Sequence, residues 1–186
     1  MTVTNAEIAA VFEQIADLLE FQGANPFRVR AYRTAARTIS ELTEPVAELA
    51  HAGPDALTEL PGIGADLADK ITTLVNTGSL PLLEELKAQV PESVLTLMRV
   101  PGLGPKRVAA IYNKLKIKTL EELREACLQH RIRDLEGFGA KTEENILKGI
   151  EAALLATQRI LWCDADQIVQ EILAHLEGTK GLRRLA

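Results

Sequence analysis

The feature that most constrains this chain is a glycine corner that recurs along it. Leu60-Pro61-Gly62-Ile63-Gly64 leads into a stretch with apolar residues at Leu67, Ala68, Ile71 and Leu74. The pattern returns as Val100-Pro101-Gly102-Leu103-Gly104, leading through Pro105 to Ile111. A third copy lacks the proline: Leu135-Glu136-Gly137-Phe138-Gly139, continuing through Lys141 to Ile146. Two glycines around one apolar residue permit positive φ and leave the backbone bare on one side. Each copy predicts a helix, a tight corner and a second helix. Recurrence in matching register marks a repeated unit.

Such a corner aims main-chain amides outward at the start of the following helix, where the helix dipole is also positive. That combination suits an anion such as phosphate. The middle residue (Ile63, Leu103, Phe138) is apolar and is expected to turn inward and pin the corner. The bland alternative is a plain helix connector, and the third copy leaves it most open. The corners resemble the helix-hairpin-helix motif, which holds nucleic-acid backbone without reading sequence. The resemblance implies phosphate contacts at Gly62, Ile63, Gly64, Gly102, Leu103 and Gly104, with Lys106 and Arg107 beside them. It also implies a monovalent cation, Na or K, bridging to a phosphate. The backbone carbonyls of Thr58, Leu60 and Ile63 would hold it at one corner, and those of Met98, Val100 and Leu103 at the other.

Composition bounds the fold. The chain has 186 residues, 47% hydrophobic but only 4% aromatic, so its core must be mostly aliphatic. Ala, Leu and Glu dominate and β-type alternation is nearly absent, which predicts an all-α fold. Cys127 and Cys163 match no disulfide or metal spacing, as expected of thiols in a reducing cytosol. His51, His130 and His175 are isolated and are not expected to be ligands. No apolar run reaches spanning length, so no membrane partner is expected.

The net charge of −5 looks wrong for a DNA binder, but its distribution does not. Phe27 to Arg37 holds four arginines and no acid, and Arg99 to Lys118 holds six basic residues and no acid.

In chain order, Thr4 with Glu7 makes a capping box for a helix to about Glu20. Asn25-Pro26 opens a second helix to about Glu41, carrying Arg28, Arg30, Tyr32, Arg33 and Arg37. Arg30, Arg33 and Arg37 share one face and Arg28 and Tyr32 another. Short helices are expected over 45–51, 54–60, 64–76 and 80–89, with a domain boundary near Val90. Helices over 92–97 and 105–115 flank the second corner. Thr119 with Glu122 caps a helix to about Gln129, and the third corner opens one over 140–158. After Arg159 the pattern turns to a short extended piece, a helix and the beginning of a strand. That predicts three parts: 1–90, 91–158, and an incomplete α+β unit over 159–186.

Over its whole length the chain resembles the amino-terminal part of a bacterial family X DNA polymerase, the family of DNA polymerase beta. Asn25-Pro26-Phe27-Arg28-Val29-Arg30-Ala31-Tyr32-Arg33 resembles the second helix of the family's small lyase domain. The first corner, through Lys70, resembles the element that grips the 5′-phosphate side of a gap. The second resembles the hairpin that grips the primer side. The tail from Ile160 resembles the start of the palm. The resemblance implies phosphate binding by Arg28, Tyr32 and Arg33.

Lys70 falls at the family's Schiff-base position, where a neutral amine attacks the aldehyde of an abasic sugar and phosphate leaves by β-elimination. The sequence departs from polymerase beta where Asp66 and Phe27 replace a phosphate-binding lysine and a histidine. An acid at i−4 favours the ammonium form of Lys70, so at most weak lyase activity is expected.

The family's palm carboxylates, which hold Mg or Mn, lie beyond Ala186, so nucleotidyl transfer is not expected of these residues alone. Two readings remain. One is the DNA-gripping part of a repair polymerase of the bacterial cytoplasm and nucleoid, a monomer that prefers gapped duplex with a 5′-phosphate. The other is a non-catalytic helix-hairpin-helix adaptor. The half-built palm favours the first.

Overall fold

The computed structural model describes residues 3–154, and no strand occurs among them. The fold is all-α, as composition predicts. The palm start, the far end of the 140–158 helix, Cys163 and His175 lie outside the described residues.

The helices begin where local chemistry places their starts. Thr4 and Glu7 form the reciprocal capping box that opens α1 (Asn5–Phe21). The Asn25 side chain accepts from the Phe27 amide at 2.9 Å and Pro26 sits in the first turn of α2 (Pro26–Glu41). Then come α3 (Val46–Ala52), α4 (Pro54–Thr58), α5 (Ala65–Thr77), α6 (Pro81–Ala88), α7 (Glu92–Met98), α8 (Pro105–Leu115) and α9 (Leu120–Leu128). A further helix, α10, covers the described residues 140–154. The Glu122 amide donates to Thr119 Oγ1 at 3.2 Å, the expected cap of α9.

Packing divides the chain into two units. The first takes the residues up to Arg99 together with Leu103–Leu123. Its centre is the α1–α2 pair, where Phe12 meets Tyr32 edge-to-face with centroids 5.5 Å apart. Small buried residues, Ala16 on α1 and Ala35 and Ala36 on α2, let the two backbones approach closely. Asn5 fastens the chain between α2 and α3. Its Nδ2 donates to the Glu44 carbonyl at 2.9 Å, and its Oδ1 accepts from the Val46 amide at 2.8 Å.

This grouping differs from a division at Val90, because α8 packs on α1. Phe21 meets Tyr112 with ring centroids 5.8 Å apart, and Gln22 donates to Gln89 at 3.0 Å.

The second unit takes Val100–Gly102 and the described chain from Arg124. Its buried residues include Ala126, Cys127, Ile132, Ile146 and Ile150. Gly149 on α10 lies against the Pro101 carbonyl.

Candidate nucleic-acid interface

The three corners share one local geometry. Gly62, Gly102 and Gly137 have φ of +80°, +82° and +81°, a region that side-chain-bearing residues avoid. The next residue points inward: Ile63 and Leu103 are buried, and Phe138 is half-buried. The Ile63 amide closes its turn on the Leu60 carbonyl at 3.1 Å, and the Phe138 amide closes on Leu135 at 3.0 Å. The second glycine of each corner starts the next helix. The carbonyls of Gly64, Gly104 and Gly139 accept from Ala68, Val108 and Glu143 at 2.9, 3.0 and 3.0 Å.

All six glycines are exposed, and neither α5 nor α8 has a side-chain cap. Glycine at an N-cap leaves the first-turn amides for an outside acceptor.

The first corner is braced from α2. Thr38 Oγ1 donates to the Pro61 carbonyl at 2.9 Å, and the Thr34 methyl fills the space beside Gly62. Thr58 and Met98 are the last residues of α4 and α7, so their carbonyls lie in a last turn that supplies no further amide. An oxygen donor set of that kind fits a hard cation.

The basic residues separate. Arg28, Arg30 and Arg37 are exposed on α2, and Lys106 and Arg107 on α8. Two of the residues expected to bind phosphate do something else. Arg33 is held by Asp17 and Glu20 at 3.0 and 2.7 Å, with Glu13 at 3.9 Å, so its guanidinium is spent on α1. Burial pushes the Asp17 carboxyl above the ordinary range and Arg33 works against that shift. Tyr32 is only 2% exposed, and its buried hydroxyl has no hydrogen-bond partner among the described residues. As placed it belongs to the core with Phe12. The resemblance grouped both residues with Arg28 but could not foresee what α1 would place beside them.

Lys70 is 20% exposed along its side chain. Its Nζ is hydrogen-bonded to Asp66 Oδ1 and lies 3.4 Å from the Asp66 carbonyl. The i−4 acid foreseen from the sequence therefore does reach the amine.

The third corner has different surroundings. Glu136 replaces the proline, and Glu143 is buried on α10. Glu143 accepts from the Arg133 amide at 3.0 Å and from Arg133 Nε at 2.9 Å, and His130 Nδ1 lies 3.0 Å away. Burial alone would raise the Glu143 carboxyl. The hydrogen bonds from His130 and Arg133, with the Arg133 charge, outweigh it and hold the group below its usual range. His130 is in the left-handed region, φ 60°, where the chain leaves α9: its amide donates to the Cys127 carbonyl and that of Arg131 to Ala126, both at 3.0 Å. Cys127 beside it is pushed up to about 11 by burial and by the Glu143 charge.

Comparison with known proteins agrees with this geometry. Residues 3–80 match the model of a helix-hairpin-helix domain, and 94–152 match that of a SAM-like helix-hairpin-helix tandem. The chain is 35% identical over 170 residues, 91% of its length, to the DNA polymerase/3′-5′ exonuclease PolX of Bacillus subtilis (strain 168). The chain belongs to the family X DNA polymerases. It spans 29% of the length of that relative. A shorter likeness, 33% over 94 residues, joins it to the ATP-dependent DNA helicase Hel308 of Pyrococcus abyssi (strain GE5 / Orsay), covering 50% of this chain and 12% of the helicase. Helices of this type therefore also occur in a protein named for a different activity. Family X membership rests on the long match rather than on the corners alone.

Three features escaped the sequence reading. Phe27 is 76% exposed, with the Arg30 guanidinium 5.9 Å from its ring centroid. A Phe beside an N-cap gave no signal of which way it would face. Gly149 and Glu143 carried no signal in the sequence of the packing that each meets.

Proposed function

We propose that these domains hold the sugar-phosphate backbone of DNA and favour a duplex interrupted by a gap. The observation that carries the reading is the pair of exposed, uncapped corners at Gly62–Gly64 and Gly102–Gly104, whose amides suit phosphate regardless of base sequence. Because main-chain amides do much of the holding, an anionic chain can bind with a shallow salt dependence. A monovalent cation on the carbonyls of Thr58, Leu60 and Ile63, and on those of Met98, Val100 and Leu103, would add a charge bridge to the phosphate.

The gap preference is supported by α2. Arg28 is exposed and suits a 5′-phosphate, and the Phe27 ring in solvent suits an unpaired base, which stacks on aromatic faces. Binding of a gapped duplex with a 5′-phosphate should exceed that of the same gap without it. Equal affinity would favour the adaptor reading.

Lyase chemistry at Lys70 is the second part of the proposal, and it is weak because Asp66 holds the amine. Borohydride should trap a covalent adduct on an abasic 5′-end, and Lys70→Ala should abolish it. Unchanged trapping in that variant removes Lys70 from the role. Participation in gap-filling repair in a bacterial cytoplasm, as a monomer beside Mg- or Mn-dependent palm carboxylates, belongs to the same proposal.

A further inference from the structure

A recess of about 480 Å³ opens between the end of α1, the start of α2 and the start of α8. Its apolar lining includes Pro26 and Val29, and its charged lining is Glu20, Arg30, Arg33 and Lys106. The charges are not equivalent. Arg33 is already satisfied by α1 acids at 2.7 and 3.0 Å. Among the described residues Arg30 meets the Phe27 ring, at 5.9 Å, and no carboxylate. Lys106 is 83% exposed along its side chain and meets Glu20 at 3.6 Å, a loose contact of the kind that contributes little at a surface. Glu20 is fixed elsewhere, by its 2.7 Å bond to Arg33. Two cations from different helices thus face one recess, and the one carboxylate lining it among the described residues is bonded more closely to a third cation, Arg33.

We infer that this recess takes one phosphate of the DNA strand held by the second corner, with Arg30 and Lys106 as its cations and Glu20 as the group that gives Lys106 up. The inference rests on the backbone-binding reading and adds to it a residue, Arg30, that lies on α2 rather than beside the second corner. The recess is wide enough for a phosphodiester and its sugars, and Pro26 and Val29 offer the sugars an apolar wall. Glu20 occupies Lys106 while DNA is absent. A phosphodiester carries one negative charge over two non-bridging oxygens, so it bonds Arg30 and Lys106 together where Glu20 reaches Lys106 only loosely, at 3.6 Å.

The test measures the affinity of the full chain for a gapped duplex as salt is varied. Arg30→Ala and Lys106→Ala should each weaken binding several-fold, with the salt slope falling by about 0.9 for a lost phosphate. The double variant should lose less than the product of the two singles, because residues gripping one group couple. Glu20→Gln, which keeps a hydrogen-bonding partner for Arg33, should tighten binding. Arg37→Ala, exposed on the same helix but outside the recess, is the control for diffuse charge and should change little. Equal losses for Arg30→Ala and Arg37→Ala, or no loss for Arg30→Ala while Gly102→Val abolishes binding, overturns the recess and leaves the corner reading standing. Failure of the unmodified chain to bind DNA overturns both.

Discussion

A Cβ placed on Gly62 would stand 2.6 Å from the Thr34 methyl carbon. Two independent demands therefore meet at one position: a left-handed backbone and the absence of a side chain against α2. At Gly102 only the first applies, because none of the described residues lies within 4 Å of the equivalent Cβ. Gly102→Ala should cost about 1 kcal/mol from backbone conformation alone, and Gly62→Ala about 2–3 kcal/mol. Thr34→Ser removes the obstructing methyl and should recover part of the loss in a double-mutant cycle. Urea unfolding of the four chains checks this, and equal costs at the two glycines would contradict it.

Gly149 offers a test in which propensity and packing oppose each other. Alanine inside a helix is favoured over glycine by about 1 kcal/mol. Here its Cβ would lie 2.8 Å from the Pro101 carbonyl oxygen and 3.0 Å from Val100 Cγ1. Backbone cannot rotate aside, so Gly149→Ala should lower the melting temperature despite the better helix former. A rise would mean that α10 shifts freely.

The buried Glu143 should give the protein an acid-sensitive limb. Its carboxyl is held below the ordinary range in the folded state, so its contribution is complete above the unfolded carboxyl's pKa and fades as pH falls through the lower folded value. Glu143→Gln should lose about 2 kcal/mol at neutral pH and flatten the acid limb. Arg133→Ala, which leaves the carboxylate buried with fewer donors, should be at least as damaging. Stability against pH in chemical denaturant is the measurement, and an unchanged acid limb in Glu143→Gln would remove the assignment.

Cys127 should be inert while the protein is folded. A thiol pushed up to about 11 carries almost no thiolate at neutral pH, and this one is buried as well. Alkylation by iodoacetamide at pH 8 should wait for unfolding. Rapid labelling of the native protein at Cys127 would show that the second unit opens locally.

Asp66→Ala should increase borohydride trapping through Lys70, since the amine loses the carboxylate that now holds it. The fold should tolerate the change, because Asp66 is 79% exposed along its side chain. No increase would point to geometry rather than ion pairing as the limit on the reaction.

Sequence alone determined everything set by short-range chemistry. The starts of α1, α2 and α9 follow from Thr4 with Glu7, Asn25-Pro26 and Thr119 with Glu122, because a cap bonds within three residues of itself. The corners follow from Gly62, Gly102 and Gly137, because positive φ is a property of one residue and its neighbours. Aliphatic spacing fixed which faces are buried. Tertiary structure decided which charges were left to act. Arg28 and Arg33 read alike along α2, yet Arg33 meets three acids of α1 while Arg28 stays exposed. Tyr32 was taken into the core by Phe12, Phe27 was left out of it, and Arg30 came to share a recess with Lys106 from far along the chain. A side chain's electrostatic partner is whatever the fold brings within a few ångströms, and spacing along one helix carries no record of the helix that will lie across it.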